Sequence, residues 1–320
     1  MTRAVDWLNR QREKLLRAAQ TLAPDMLAPP APHHPEPASP DIAALELPHF
    51  HNPGGLVLRS YVPHKLPVGA PLVVVLHGCG ENAEEFATLS GWRYLAAQHN
   101  FALLIPAQTE ANNQQTCFNW FRPGDIARGH GEAESIAAMV QAMVAGLHLD
   151  RARVFVTGLS AGGAMAAALL AAYPDLFAAG AVVAGLPAGS ASNVVNAMAR
   201  MAGRGQKHDP LDWAGHARRL GPPLYQGRYP NVSVWQGLAD PVVAASNGRD
   251  VALQFATLHG LNHPSTTSPR HGMHRTVWGD ATAPSVELWE LDFAGHVYPT
   301  EAEQGISAAH EIARFWGIVA

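Results

Sequence analysis

Apolar and polar positions alternate along this chain in two rhythms, short unbroken apolar runs and longer stretches with helical spacing. Leu72 to Leu76 is a continuous Leu/Val run, as expected for a strand covered on both faces. Val154-Phe155-Val156, Ala178 to Ala184, Val232 to Trp235 and Val286 to Phe293 read the same way, and Leu56 to Val62 and Phe101 to Pro106 read as further strands. Between them lie helical patterns. The cleanest runs from Glu132 to Leu147, with Ile136, Met139, Val140, Met143, Val144 and Leu147 on one face. Others are expected from about Glu84 to Gln98, with Phe86, Leu89, Trp92 and Leu95 inward, around Ala245 to His259, and from about Gly305 to Trp316. Strand and helix in alternation predict an α/β fold with a mostly parallel central sheet and helices on both faces. Residues 187–229 break the rhythm and are expected to form an excursion over the sheet edge or the site. The segment after His259 reads as a polar loop.

Residues 2–22 have one roughly apolar helical face, and Pro24 to Pro40 holds seven prolines. Residues 1–40 are therefore expected to be a helix and an extended linker, and 41–320 one catalytic domain. Composition narrows the class. The 320 residues are 48% hydrophobic and 15% charged, with a net charge of -4 and no long basic run, which fits a globular enzyme and disfavours a nucleic-acid partner. No apolar run approaches the ~20 residues needed to span a bilayer, and the first residues are too polar for a signal peptide, so a cytoplasmic location is the default expectation.

Chemistry enters where strands stop, because ligands in open α/β sheets sit beyond the carboxyl ends of the strands. After Val154-Phe155-Val156 comes Gly158-Leu159-Ser160-Ala161-Gly162 and then an alanine-rich helix ended by Pro174. Such a turn needs glycine where backbone meets backbone, and it presents the Ser160 hydroxyl near a helix N-terminus, where free N–H groups favour an oxyanion. Asp240 follows the Val232 strand and His296 follows the Val286 strand. Nucleophile, acid and histidine in this order suit a serine hydrolase: histidine carries the proton while a buried carboxylate holds its tautomer. Asp292 and Asp280 are rival acids; His259, His263, His271, His274 and His310 are rival bases that do not follow a strand directly. His271 and His274 have metal-pair spacing without a carboxylate or cysteine nearby, so no metal and no cofactor is expected. His77-Gly78-Cys79-Gly80 ends the Leu72 strand, where the backbone N–H of Cys79, with that of Ala161, is expected to form the oxyanion hole.

HGCG at His77, CFNWF at Cys117, GLSAGG at Gly158, GLADPVV at Gly237 and GHVYP at Gly295 together resemble the poly(3-hydroxybutyrate) depolymerase family of esterases. The likeness covers about residues 50–318. It implies an α/β-hydrolase domain and serine esterase chemistry, with Ser160, Asp240 and His296 as the triad. It also implies substrates among hydroxyalkanoate oligomers, short acyl esters or feruloyl-type esters. Tyr298 departs from the tryptophan of many relatives. His77, Trp120 and Tyr298 are expected to contact the substrate, Trp120 from a long aromatic loop whose alternative role is a hydrophobic cluster. An acyltransferase using the same triad and a non-catalytic polyester-granule binder are the rival functions. Cys79 and Cys117 stand on loops leaving one sheet edge and can come within the ~6 Å between Cα atoms that a disulfide needs. The alternative is two unpaired thiols, which a reducing cytosol would favour.

Overall fold

Leu72–Leu76 is buried at every residue and forms β2, near the middle of a nine-stranded sheet. In the computed structural model, which describes residues 49–319 apart from residue 271, the strands are β1 (Ser60–Tyr61), β2, β3 (Ala102–Leu104), β4 (Val154–Leu159), β5 (Ala179–Val183), β6 (Asn231–Gly237), β7 (Thr266–Arg270), β8 (Met273–Gly279) and β9 (Pro284–Leu291). Their spatial order is β1-β3-β2-β4-β5-β6-β9-β8-β7. The six from β3 to β9 run parallel; β1 closes one edge antiparallel and the β8–β7 hairpin extends the other. The helix and linker expected at residues 1–40 lie outside the described residues.

Two-residue alternation divides the apolar side chains between the two faces. Leu72, Val74, Leu76, Val154, Val156, Val182 and Val234 point to one face. There they meet α4 (Gly131–Gly146), α5 (Ala161–Ala172) and α8 (Ser246–Leu258). Val73, Val75, Phe155, Ala181, Val183 and Trp235 point to the other, against α1 (Ala83–Leu89), α2 (Trp92–His99) and α10 (Ala308–Phe315). Neither face of the central strands is left to water, which is why their sequences read as runs rather than alternations.

Three expectations change. The helix expected from Glu84 to Gln98 is two, α1 and α2, broken at Gly91, whose φ of 87° is left-handed. The break turns Leu89 outward, 68% exposed, while Phe86, Trp92 and Leu95 stay buried. The polar stretch after His259 is not a loop: β7 and β8 pair there as an antiparallel hairpin. Its strands are short of buried apolar residues, and Pro269 sits on the outermost strand, where no ladder donor is needed. The Leu56 to Val62 strand shrinks to β1 and a single bridge between Val57 and Ala107.

Residues 187–229 hold α6 (Val194–Met201) and α7 (Pro210–Arg218), with α7 packed against α5 and α8. A buried Arg200 ties α6 to α8. Its guanidinium meets Asn247 and Asp250 and lies 4.7 Å from the Trp213 ring centre. A charge taken out of water in this way is held by partners on every side, as burial requires. The remaining helices among the described residues are α3 (Pro123–Ile126) and α9 (Glu301–Gln304).

Candidate active site

Glycines bring β4, α5 and the end of β2 into backbone contact. A Cβ on Gly158 would strike the backbone of Gly162, and one on Gly162 would strike the carbonyls of Leu76 and His77. The turn is so tight that Ser160 adopts φ 57° and ψ -115°, a conformation that side-chain-bearing residues rarely take and that costs about 1–3 kcal/mol. Its backbone N–H is held by Val183 O at 2.9 Å, so the neighbouring strand supports the strain. Ser160 is 8% exposed, and Ala161 opens α5 immediately behind it.

Asp240 and His296 come together from the ends of β6 and β9. A Cβ on Gly237 would overlap the carbonyls of Ala294 and Gly295, and Ala239 N–H donates to Ala294 O at 3.2 Å, so the two loops are packed and bonded. His296 Nδ1 lies 2.8 Å from Asp240 Oδ2. The Asp240 side chain is fully buried, and its Oδ1 accepts the N–H groups of Val242 at 2.7 Å and Val243 at 2.9 Å. Those two donors stabilise a carboxylate away from water and leave Oδ2 to hold the imidazole. With Nδ1 engaged, Nε2 is the nitrogen that remains for proton transfer.

The rival acids and bases are bonded elsewhere, exposed, or outside the described residues. Asp292 Oδ1 sits 3.2 Å from His274 Nε2. Asp280 accepts from Thr282 and Ala283 within its own turn. His259 Nε2 meets Pro230 O, and His263 and His310 are exposed. His271 lies outside the described residues. Among the described residues no cluster of three metal-ligating side chains occurs.

The loop after β2 is anchored by side chains. Cys79 and Cys117 are bridged, with Cα atoms 4.2 Å apart. Gly80 N–H donates to Gln115 O at 2.9 Å and to Thr116 Oγ1 at 3.2 Å. Glu81 Oε2 accepts the Gly78 N–H at 2.6 Å. Desolvation raises the Glu81 carboxyl, while the Gly78 bond and the field of His296 pull it back, so the loop lies within electrostatic reach of His296. Behind it, buried Glu132 accepts from Asn119 N at 2.8 Å, Asn119 Nδ2 at 2.6 Å and Gln108 Nε2 at 2.6 Å. Desolvation nonetheless pushes its carboxyl up to about 7 against those donors. Among the described residues, neither the N–H of Cys79 nor that of Ala161 has a hydrogen-bond partner.

The three expected substrate contacts fall differently. Trp120 is 5% exposed and belongs to the core cluster under α4, so it fills the aromatic loop from inside. Tyr298 turns inward: its hydroxyl accepts from Trp92 Nε1 at 2.7 Å and lies 3.2 Å from Thr157 Oγ1. His77 is buried, with its ring bonded to backbone at both nitrogens. All three side chains are buried, Trp120 by apolar packing and Tyr298 and His77 by hydrogen bonds as well. Leu238 and Phe293 are exposed apolar side chains on the acid and histidine loops.

A sheet of this order with helices on both faces is that of the α/β-hydrolases, and the solved structures it resembles are esterases. An acetyl xylan esterase from Aspergillus awamori shares 25% identity at a TM-score of 0.75, covering 84% of this chain and 96% of that one. The protein is thus a carboxylic-ester hydrolase of that fold. Within the class, the chain belongs to the Esterase PHB depolymerase family, whose model matches residues 59–277. Similar proteins include poly(3-hydroxyalkanoate) depolymerase C of Paucimonas lemoignei, 37% identical over 84% of this chain and 68% of that protein. Feruloyl esterase B of Talaromyces funiculosus is 31% identical over 78% of this chain and 71% of its own.

Proposed function

We propose that Ser160 attacks the ester carbonyl and forms an acyl-enzyme, with His296 taking the serine proton and returning it to the departing alcohol. Asp240 holds the imidazole through Nδ1 and stabilises its charged form. The backbone N–H groups of Cys79 and Ala161 receive the oxyanion, and water then repeats the cycle to release the acid. The Asp240–His296 pair carries this assignment: its carboxylate is buried and it joins the loops that follow β6 and β9, whereas the His274–Asp292 pair is partly exposed and takes its histidine from β8.

The substrates are hydroxyalkanoate oligomers, short acyl esters or feruloyl-type esters, in keeping with relatives named for hydroxyalkanoate, feruloyl and acetylxylan substrates. Phe293 and Leu238 supply apolar contact from the histidine and acid loops. The Cys79–Cys117 bridge favours an oxidising compartment over the cytoplasm. No helix among the described residues is long and apolar enough to cross a membrane.

Ser160→Ala tests the chemistry: hydrolysis of nitrophenyl esters falls by more than about 1000-fold while thermal unfolding stays near that of the parent. Survival of a tenth of the turnover would remove Ser160 from the nucleophile's role. Rates on nitrophenyl esters of increasing chain length, methyl ferulate, hydroxybutyrate oligomers and polymer film then rank the substrate classes. Phe293→Ala should shift that ranking.

A further inference from the structure

Gly78 O and the Cys79 N–H are the two ends of one peptide plane. His77 holds the first of them. Its Nδ1 lies 2.7 Å from Gly78 O, and its Nε2 lies 3.2 Å from the backbone nitrogen of Gln108. A main-chain N–H can only donate, so Nε2 presents a lone pair and the ring proton sits on Nδ1, where it donates to Gly78 O. The ring is 1% exposed, and burial pushes its pKa down, which keeps this neutral tautomer in place.

We propose that His77 is a positioning residue for the oxyanion hole: by gripping the carbonyl of the Gly78–Cys79 peptide it fixes the direction of the Cys79 N–H and strengthens it as a donor. The inference rests on the reading of that N–H as an oxyanion donor. Peptide planes are rigid, so fixing the oxygen fixes the N–H opposite. Gly78 has no side chain to resist rotation of the plane, which makes an external grip necessary. Among the described residues one other donor reaches Gly78 O, the Glu81 N–H, and it is longer at 3.4 Å. The disulfide, the Glu81 carboxylate and the Gln115 and Thr116 contacts restrain neighbouring atoms, not this carbonyl. A hydrogen bond accepted at the carbonyl also polarises the amide, strengthening its N–H by about 10–30%. Gln108 in turn is held by Glu132, so the grip is anchored in the core.

The test uses a matched ester and thionoester with His77→Asn, His77→Gln and His77→Leu. Asparagine places its amide nitrogen near the site of Nδ1; glutamine places its own near Nε2. Wild-type enzyme should prefer the oxygen ester strongly, because its oxyanion donors are set for oxygen. His77→Gln and His77→Leu should lower kcat on the oxygen ester by about 100-fold with KM within about threefold, and the oxygen-to-sulfur preference should collapse. His77→Asn should recover both. Equal loss in the Asn and Gln variants, or a preference left intact in the Gln variant, overturns the role of His77. Absence of the preference in wild-type enzyme overturns the Cys79 oxyanion reading itself, and the proposal with it. A further measurement requires no variant to fold: nitrogen NMR of histidine-labelled wild-type protein should show the His77 proton on Nδ1, and a proton on Nε2 rejects the proposal.

Discussion

Ser160 and the Cys79 N–H stand at the ends of adjacent strands, β4 and β2, yet different forces hold them. The serine elbow is fixed by backbone pressed on backbone, with Gly158, Gly162 and Gly163 leaving no room for a methyl group. The loop after β2 is fixed by a disulfide and by a polar network running from Glu132 through Gln108 to His77. A steric lock tolerates no enlargement but is indifferent to pH and redox state. A polar and covalent anchor has the opposite sensitivities.

Substitutions that attack each mode separately sharpen the contrast. Gly162→Ala should have the largest effect, because its methyl would meet the Leu76 and His77 carbonyls: a loss above about 3 kcal/mol and little folded protein, measured by denaturant unfolding. Gly124→Ala, where a methyl meets nothing, should leave stability within about 0.5 kcal/mol. Next, Cys79→Ser with Cys117→Ser opens a bridge between residues 38 apart and should cost about 2–4 kcal/mol in urea unfolding, leaving the elbow intact.

Glu132 gives the loop a pH dependence that the elbow lacks. Its folded carboxyl titrates at about 7 against an ordinary 4.5, so between those values the folded chain keeps a proton that the unfolded chain has released. Stability from this group is therefore full below about 4.5 and is lost as pH rises to about 7, by on the order of 3 kcal/mol. Glu132→Gln should flatten that slope in unfolding measured across pH, and should cost about 1–3 kcal/mol at low pH because one of three donors loses its acceptor. A smaller effect than these belongs to Tyr298→Phe. It leaves Trp92 Nε1 without an acceptor and should cost about 1 kcal/mol in thermal unfolding with turnover on small esters unchanged.

The elbow side was legible in the sequence; of the loop side, the HGCG strand end and the Cys79–Cys117 bridge were, the latter against an open alternative of two thiols, and the polar network was not. Unbroken apolar runs mark β2, β4, β5 and β6 because both sheet faces are covered, and helical spacing marks α4 and α8 within a residue or two. The strand ends then pointed to Ser160, Asp240 and His296, and the structure pairs the last two. Contacts among polar residues of the loop carry no period. Glu132 looks like an ordinary acid in the first turn of an exposed helix end, yet it is wholly buried because Gln108 and Asn119 fold over it. The burial of Trp120, Tyr298 and His77 was not legible either, since strand position does not say whether a side chain turns in or out. The β7–β8 hairpin was missed for a related reason: edge strands bury little, so their sequences need not be apolar.

Helix α5, which starts one residue after Ser160, is buried at every position from Ala161 to Ala172. A helix with no face toward water cannot fray from its side, and its amides exchange with solvent only when the surrounding sheet and helices part. Its backbone protons should therefore be among the slowest in the molecule to exchange, at rates set by global unfolding, while those of the partly exposed α1 exchange through local openings. The strained serine is thus attached to a segment that stays closed until the whole domain opens.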